Sequence, residues 1–273
     1  MEDIKIRVSS SVVGFEQRAM KTWGLEKWKG WTDNNASVVF FGLYTKHDYD
    51  AFLRHKGKKI VFWCGSDILN LQGNYDSRRV LKLFPETEHY CENEVEAEGL
   101  RRAGLNPIIV PSFLDDVNLP ITFKPSETPH IFSCGHDKRE EEYGAGIVER
   151  IADTVHYATF HIYGIDKDSV FFTKEHKNVI YHGRVPEAQF KEEISHYQCG
   201  LRTNDHDGMS EVQMRNILHG GYPITKIKYD KIWNYTTDQE LVDLIEKLKL
   251  VKEPNIEGRE HYQKILNKFP FVK

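Results

Sequence analysis

Short apolar runs that alternate with helical patterns constrain this chain more than any other feature. Runs at residues 4–8, 37–43, 59–64, 89–91 and 108–110 form a first series, and runs at 130–134, 159–163, 179–182, 200–202 and 222–226 form a second. Helical stretches separate runs of strand length, which is the pattern of βα units building parallel sheets. The spacing predicts helices at 93–103, 140–153, 186–195, 210–219 and 238–248, with a closing helix near 258–268. In the first of these, Val95, Leu100 and Ala103 face inward and Gly104 supplies the stop. Pro186 stands where a first-turn proline is expected. Residues 115–129 hold three prolines, few apolar residues and no periodicity, which marks a linker near 116–128. The expected organisation is α/β, with one domain over 1–120, a second over 121–255 and a closing helix over 256–273. Two such halves imply a cleft, and ligands of open α/β sheets bind outside the carboxyl ends of the strands.

Composition narrows the class. A chain of 273 residues with 40% hydrophobic and 29% charged residues reads as a soluble globular protein. No apolar run approaches the roughly 20 residues of a membrane span, and no signal-peptide pattern opens the chain. Cys64, Cys91, Cys134 and Cys199 are scattered without a Cys-x-x-Cys pair, so small core thiols in a reducing cytoplasm are expected. A formal net charge of −4 argues against nonspecific nucleic-acid binding and leaves room for a local basic cleft. The 13 histidines show no zinc spacing, and no bound metal is expected. Residues 21–31 carry Trp23, Trp28 and Trp31 beside Lys21, Lys27 and Lys29. That patch reads as a surface for sugars or bases, as a peripheral membrane contact, or as core.

Candidate chemistry sits at the strand ends. Leu201-Arg202-Thr203-Asn204-Asp205-His206-Asp207-Gly208-Met209-Ser210 runs as strand and polar loop into a helix that ends at His219-Gly220-Gly221. Met214, Ile217 and Leu218 give that helix one apolar face, and Ser210 with Gln213 matches a capping box. Its N-terminus reads as an anion site or as an ordinary βα unit. Ser9-Ser10-Ser11 and Gly14 follow the first strand and would let a ligand approach the backbone. Gly65-Ser66-Asp67 follows the third, where Asp67 would take a proton from an acceptor hydroxyl or cap the next turn. Gly135, His136, Lys138 and Arg139 open the second half. The two cations would neutralise a diphosphate or pair with Glu140, Glu141 and Glu142, and His136 would donate to a sugar or phosphate.

Taken in order, these motifs resemble the GT-B glycosyltransferases, specifically the family 4-like glycosyl transferases. Trp63-Cys64-Gly65-Ser66-Asp67 is similar to an acceptor-domain element of some members. Residues 92–104 with Ile108-Ile109-Val110-Pro111 resemble the last N-terminal helix and the strand before the linker. Residues 131–135, 162–164 and 179–186 resemble successive donor-domain strands, and His206-Asp207-Gly208-Met209-Ser210 through Ile224 resembles the donor-binding loop and helix. The resemblance implies a GT-B-like fold, two Rossmann-like βαβ domains facing each other across a cleft, with a short N-terminal domain.

It also implies transfer of a sugar from a nucleotide-sugar donor, UDP- or GDP-linked, to an acceptor hydroxyl without a metal or other cofactor. The acceptor would be a glycan, a lipid-linked sugar or modified DNA. Asp207 matches the first acidic position of the family's paired motif; Gly208, Met209 and Ser210 match the loop at the sugar and diphosphate. Gly183, Arg184 and Val185 fall where the base is held. Catalytic roles go to Asp67 and His136, and acceptor contacts to Ser10, Ser11, Trp28 and Ser66. One position departs from the pattern: Arg215 stands where a carboxylate would meet the ribose, and a guanidinium accepts no hydrogen bond. Glu211 either replaces that carboxylate or pairs with Arg215 at i,i+4. Two other functions fit the same residues: a DNA-base glycosyltransferase acting on hydroxymethylated bases, and a non-catalytic sugar- or nucleotide-binding module.

Overall fold

The computed structural model describes residues 3–136, 143–166 and 175–272. The chain divides into two compact units. Met1–Asp116, His206–Met209 and Ile265–Lys273 form the first, and Val117–Asp205 with Ser210–Lys264 form the second.

The first unit runs β1 (Ile4–Val8), α1 (Glu16–Trp23), β2 (Glu26–Lys27), β3 (Ser37–Phe41), α2 (Lys46–Arg54), β4 (Lys59–Phe62), α3 (Ser66–Gly73), α4 (Tyr75–Lys82), β5 (Glu88–Cys91), α5 (Glu94–Arg102) and β6 (Pro107–Ile109). Its six strands are all parallel, in the order β2-β1-β3-β4-β5-β6. β3 and β4 are buried along their whole length, as strands covered on both faces must be. Even Lys59 is buried in β4, with its ammonium 4.3 Å from the Phe84 ring centre.

Trp23, fully buried, packs 5.2 to 5.6 Å from the rings of Phe41, Phe62, Phe269 and Phe271, and so ties the C-terminal tail into this unit. Losing such a buried aromatic costs about 3–5 kcal/mol. The tryptophan patch thus separates. Trp23 is core, Trp28 packs half-buried on Phe40 and His55, and Trp31 stays 79% exposed. Trp28 thus forms part of the wall of the core.

The second unit runs β7 (His130–Cys134), α6 (Ala145–Ala152), β8 (Thr159–Tyr163), β9 (Val179–Gly183), α7 (Glu187–Ile194), β10 (Cys199–Arg202), α8 (Glu211–Leu218), β11 (Ile224–Thr225), β12 (Trp233–Asn234), α9 (Asp238–Leu250) and α10 (Ile256–Ile265). Its sheet order is β12-β11-β10-β7-β8-β9, again all parallel. Counted from its own first strand, that is the doubly wound order of a dinucleotide-binding fold.

Differences from the sequence reading have local causes. β2 and β12 have two residues each and leave no periodic trace. The run at 222–226 keeps only Ile224–Thr225 in the ladder, because Pro223 has no N–H to offer. α10 starts earlier than expected, where Asn255 Oδ1 accepts from Gly258 N at 3.0 Å. The capping box at α8 does not form: Ser210 makes no side-chain cap bond, and the buried Gln213 amide has no partner among the described residues. All four cysteines are free thiols. Among the described residues no helix is long and apolar enough to cross a membrane.

Candidate functional site

In an open parallel sheet, the crevice for a ligand opens at the carboxyl edge, where neighbouring strands send their connections to opposite faces. In the second unit that point lies between β7 and β10. Each strand on one side of it ends in a glycine-led loop: Gly135 after β7, Gly164 after β8 and Gly183 closing β9. A Cβ on Gly164 would lie 2.4 Å from the Gly135 carbonyl oxygen, and one on Gly183 would lie 2.6 Å from Asp166 Oδ1. Close loop approach therefore dictates these glycines, and both have positive φ, at 77° and 60°. On the other side, Thr203 Oγ1 donates to the Tyr143 carbonyl at 2.7 Å, in the space a side chain at Gly144 would fill.

This edge carries the cations. Arg202 donates to the Cys134 carbonyl at 3.2 Å and lies 4.8 Å from the Tyr143 ring centre. Exposed Arg184 reaches His136, with Nη2 and Nε2 3.4 Å apart. The structure therefore brings Gly135, His136, Gly183 and Arg184 together at the carboxyl edge of one sheet. Val185 instead packs against the apolar layer of Phe132, Tyr163, Ile194 and Val212. Lys138 and Arg139 lie outside the described residues. Arg215 turns inward: its side chain is 2% exposed, and Nε and Nη2 donate to Glu211 Oε1 at 2.9 and 2.6 Å. Of the two readings of Glu211, the structure carries the i,i+4 pair. Arg215 is thus held in the body of α8 and does not face a ribose.

The first unit has its own switch point, between β1 and β3. Ser10 and Ser11 are exposed there, whereas Ser9 is buried and donates to Asp48 Oδ2 at 2.8 Å. Asp48 also accepts from Arg7 Nη1 (2.8 Å), Tyr44 N (3.0 Å) and Thr45 N (2.8 Å), and so pins the loops after β1 and β3. Ser66 is exposed at the first position of α3.

Asp67 is fully buried. Its carboxylate accepts from the main-chain N–H groups of Leu43 (3.2 Å), Cys64 (3.0 Å) and Ile68 (3.0 Å). Burial pushes its carboxyl up to about 7, against the pull of those three N–H groups. A carboxyl occupied this way ties two loops together and is not an open base.

Two further carboxyls lie at the same edge, and sequence reasoning missed them. Glu92 is buried; Ser112 Oγ donates to Oε1, and Met209 N donates to Oε2 at 2.7 Å. Glu96 is fully buried, accepts from Glu92 N at 2.7 Å with Oε2, and leaves Oε1 without a partner among the described residues. Burial holds both carboxyls above the usual carboxylate range, and the neighbouring Glu92 raises Glu96 further. Asn93 Nδ2 donates to the Asp207 carbonyl at 2.7 Å, and His206 Nε2 to the Gly65 carbonyl at 3.0 Å.

Asp207, Gly208 and Met209 accordingly belong to this carboxyl-lined edge. A Cβ on Gly208 would lie 2.1 Å from Glu92 Oε2. The Met209 N–H expected to face a bound anion faces the carboxyl of Glu92 instead. One signal was available, since Asn93 and Glu96 stand at capping-box spacing and Asn93 Oδ1 accepts from Glu96 N at 3.0 Å. Among the described residues, no three His, Cys, Asp or Glu side chains converge as a metal site.

No protein-family model matches the sequence, and no curated protein matches it. Solved structures do match in fold. A mutant of S. aureus TarM, in complex with Fondaparinux, alpha-GlcNAc-glycerol and UDP, aligns at a TM-score of 0.59 and 15% identity over 86% of this chain and 53% of its own. Sucrose-phosphate synthase from Thermosynechococcus elongatus aligns at 0.61 and 10% identity, over 93% of this chain and 72% of its own. Anabaena HepE in complex with UDP-glucose aligns at 0.56 and 11% identity, over 85% and 79%. The chain spans about half the length of TarM. Two six-stranded parallel sheets with flanking helices, aligned with these glycosyltransferases over most of the chain, give the protein the α/β fold of the GT-B class.

Proposed function

We propose that this protein binds a nucleotide sugar on its second unit and transfers the sugar to an acceptor hydroxyl. The observation that carries the reading is the carboxyl edge of that sheet. A doubly wound strand order places its switch point between β7 and β10, and Arg202, Arg184 and His136 gather at the same edge. Departure of a nucleoside diphosphate develops negative charge on the phosphates. Fixed guanidinium groups and the N–H groups at the start of α8 would offset that charge, and the reading assigns no part of it to a metal. The glycines that end β7, β8 and β9 would let the diphosphate and sugar approach the main chain. Ser10, Ser11 and Ser66 are the exposed hydroxyls of the first unit's edge and are the assigned acceptor contacts.

Titration calorimetry with UDP, GDP and UDP-glucose, with and without EDTA, tests this. Binding of at least one of them is expected, unchanged by EDTA. Arg184→Ala should weaken it about tenfold, the value of one charge-assisted contact. No binding of any nucleotide at millimolar concentration overturns the reading. Release of UDP from UDP-glucose in the presence of candidate acceptors then tests transfer itself.

A further inference from the structure

Three histidines on neighbouring strands of the second unit touch ring to ring. His161 on β8 pairs in register with Ile180 on β9, and Phe132 on β7 pairs with His161. His130 lies two residues before that partner on β7 and His182 two residues after it on β9. The β8–β9 register shifts at His182, and the ring contacts, 5.1 Å between the centres of His130 and His161 and 5.2 Å between those of His161 and His182, place all three on one face as a diagonal across the sheet. His130 Nδ1 is 2.8 Å from His161 Nε2, and His161 Nδ1 is 3.0 Å from His182 Nε2. Beyond them, His182 Nδ1 lies 3.7 Å from Glu193 Oε2 on α7.

We propose that His130, His161 and His182 form a proton relay, which carries one proton across the sheet to the carboxyl edge and sets a positive charge on His182 beside Gly183 and Arg184.

The relay balances atom by atom. A neutral imidazole has one donor and one acceptor, so a chain of three has one proton order throughout. The negative charge of Glu193, 3.7 Å from His182 Nδ1, favours the order in which every Nδ1 carries the proton. A proton taken at His130 Nε2 sends the His130 Nδ1 proton to His161 Nε2, and the His161 Nδ1 proton to His182 Nε2. The result is a neutral His130, a neutral His161 and a doubly protonated His182 facing Glu193. No N–H is left against another N–H.

The surroundings suit this task. Glu193 also accepts from Tyr163 OH at 2.5 Å and from Gln189 Nε2 at 2.8 Å, and the tyrosine hydroxyl first of all holds its carboxyl below the usual range. Burial pushes the His161 imidazole down to about 4, so charge passes the middle ring and does not rest there. His130 is half-buried at the first position of β7 and forms the outer end. The other titratable groups facing the ladder are Tyr163 on β8, Tyr197 after α7 and Cys134 on β7; burial raises the two tyrosines, and it raises the thiol to about 12. α8 faces the same layer with Val212, and α7 with Phe190 and Ile194, which carry no charge.

The functional consequence rests on the reading of Gly183 and Arg184 as part of the nucleotide site. A cation arriving there would make binding of a diphosphate draw a proton from solution. The probe is UDP-glucose, whose diphosphate diester has no proton to exchange near neutrality. Calorimetry at pH 7 in two buffers of different ionisation enthalpy should show net proton uptake on binding. Affinity should rise about tenfold from pH 8 to pH 6, because a ligand that prefers the protonated form gains as pH falls.

His161→Phe keeps the ring stacked on Tyr197 and should abolish the uptake while UDP-glucose still binds. Should that variant not fold, His130→Gln interrupts the relay at its outer end with the same expectation. A second readout needs no nucleotide: nitrogen-15 ring resonances of the whole protein, titrated from pH 8 to 5. In the intact protein one proton should change all three tautomers together, and this outcome supports the relay even if no nucleotide binds. Three rings titrating independently, or UDP-glucose bound with no proton uptake, overturns it.

Discussion

Replacing Asp67 with Asn removes a charge and keeps a shape, which exposes what this carboxyl contributes. In the unfolded chain an Asp ionises at 3.8, and in the folded protein burial holds Asp67 at about 7. The folded state therefore grips the proton more tightly. The contribution of Asp67 to stability is greatest below pH 4, falls as pH rises toward 7, and then levels off. At about 1.4 kcal/mol per pH unit, the full effect is roughly 4 kcal/mol, of which about 2.5 kcal/mol develops between pH 5 and 8. An Asn at this position can still accept from Cys64 and Ile68 with its oxygen. Its amide then faces the Leu43 N–H, now 3.2 Å from Oδ2. That unsatisfied donor costs about 1–3 kcal/mol at every pH.

Asp67→Asn should accordingly match the parent within about 1 kcal/mol at pH 5 and exceed its stability by about 2 kcal/mol at pH 8. Urea unfolding followed by tryptophan fluorescence reads this out, since Trp23, Trp28, Trp31 and Trp63 all belong to the first unit. An identical stability difference at pH 5 and 8 would refute the burial argument. Turnover separates the two roles of the residue: a tying carboxyl predicts transfer within about threefold of the parent. Loss of about 100-fold or more would restore the role of base.

Two other substitutions test the edges. Gly164→Ala forces a left-handed φ on alanine and a Cβ 2.4 Å from a main-chain oxygen, so it should cost about 3 kcal/mol and lower the melting temperature of the second unit by on the order of 10 °C in calorimetry. Asp48→Ala strands the Arg7 guanidinium and frees the loops after β1 and β3, at about 3–5 kcal/mol in thermal unfolding of the first unit. Burial alone would raise the Asp48 carboxyl, but Arg7 with Thr45 and Ser9 holds it below the usual range. Its contribution is therefore present above the unfolded value and lost as pH falls through the folded one. The Ala variant should show a flatter acid limb than the parent.

Local chemistry made the strands legible and tertiary chemistry hid the site. β1, β7 and β8 fall on the residues predicted for them, because each carries buried apolar residues at its centre, Ile6 in β1, Ile131 and Phe132 in β7, and Phe160 and Ile162 in β8. Strand order is another matter. Nothing local in the sequence distinguishes β7 beside β10 from β7 beside an edge, yet that adjacency creates the switch point. Asp67 looked like a base because it follows a buried strand after a Gly-Ser turn. Three main-chain N–H groups, one of them from Leu43 far away in sequence, decide otherwise. Glu92 and Glu96 gave no sign of burial, since a carboxylate near a helix start is usually solvated. His130, His161 and His182 sit 31 and 21 residues apart, and only the register of β7, β8 and β9 joins them.

Their burial also gives the two units opposite responses to pH. In the first, the Asp67 proton leaves as pH rises toward 7 and Glu92, held at about 8, acts in the same direction; His89, pushed down to about 4 by burial, offsets part of this, and on balance the unit weakens toward alkali. His161 sets the second. Its imidazole takes a proton at 6.5 when unfolded and at about 4 when folded, so the folded state resists charging. Stability that is complete above pH 6.5 is lost as pH falls, by about 2 kcal/mol between pH 7 and 5. Hydrogen exchange resolved by peptide separates the units in one sample. Peptides from β8 and β9 should lose protection at pH 5 relative to pH 7, after correction for intrinsic rates, and peptides from β3 and β4 should gain it. Parallel movement of both sets would mean that one global equilibrium, and neither buried group, governs the response.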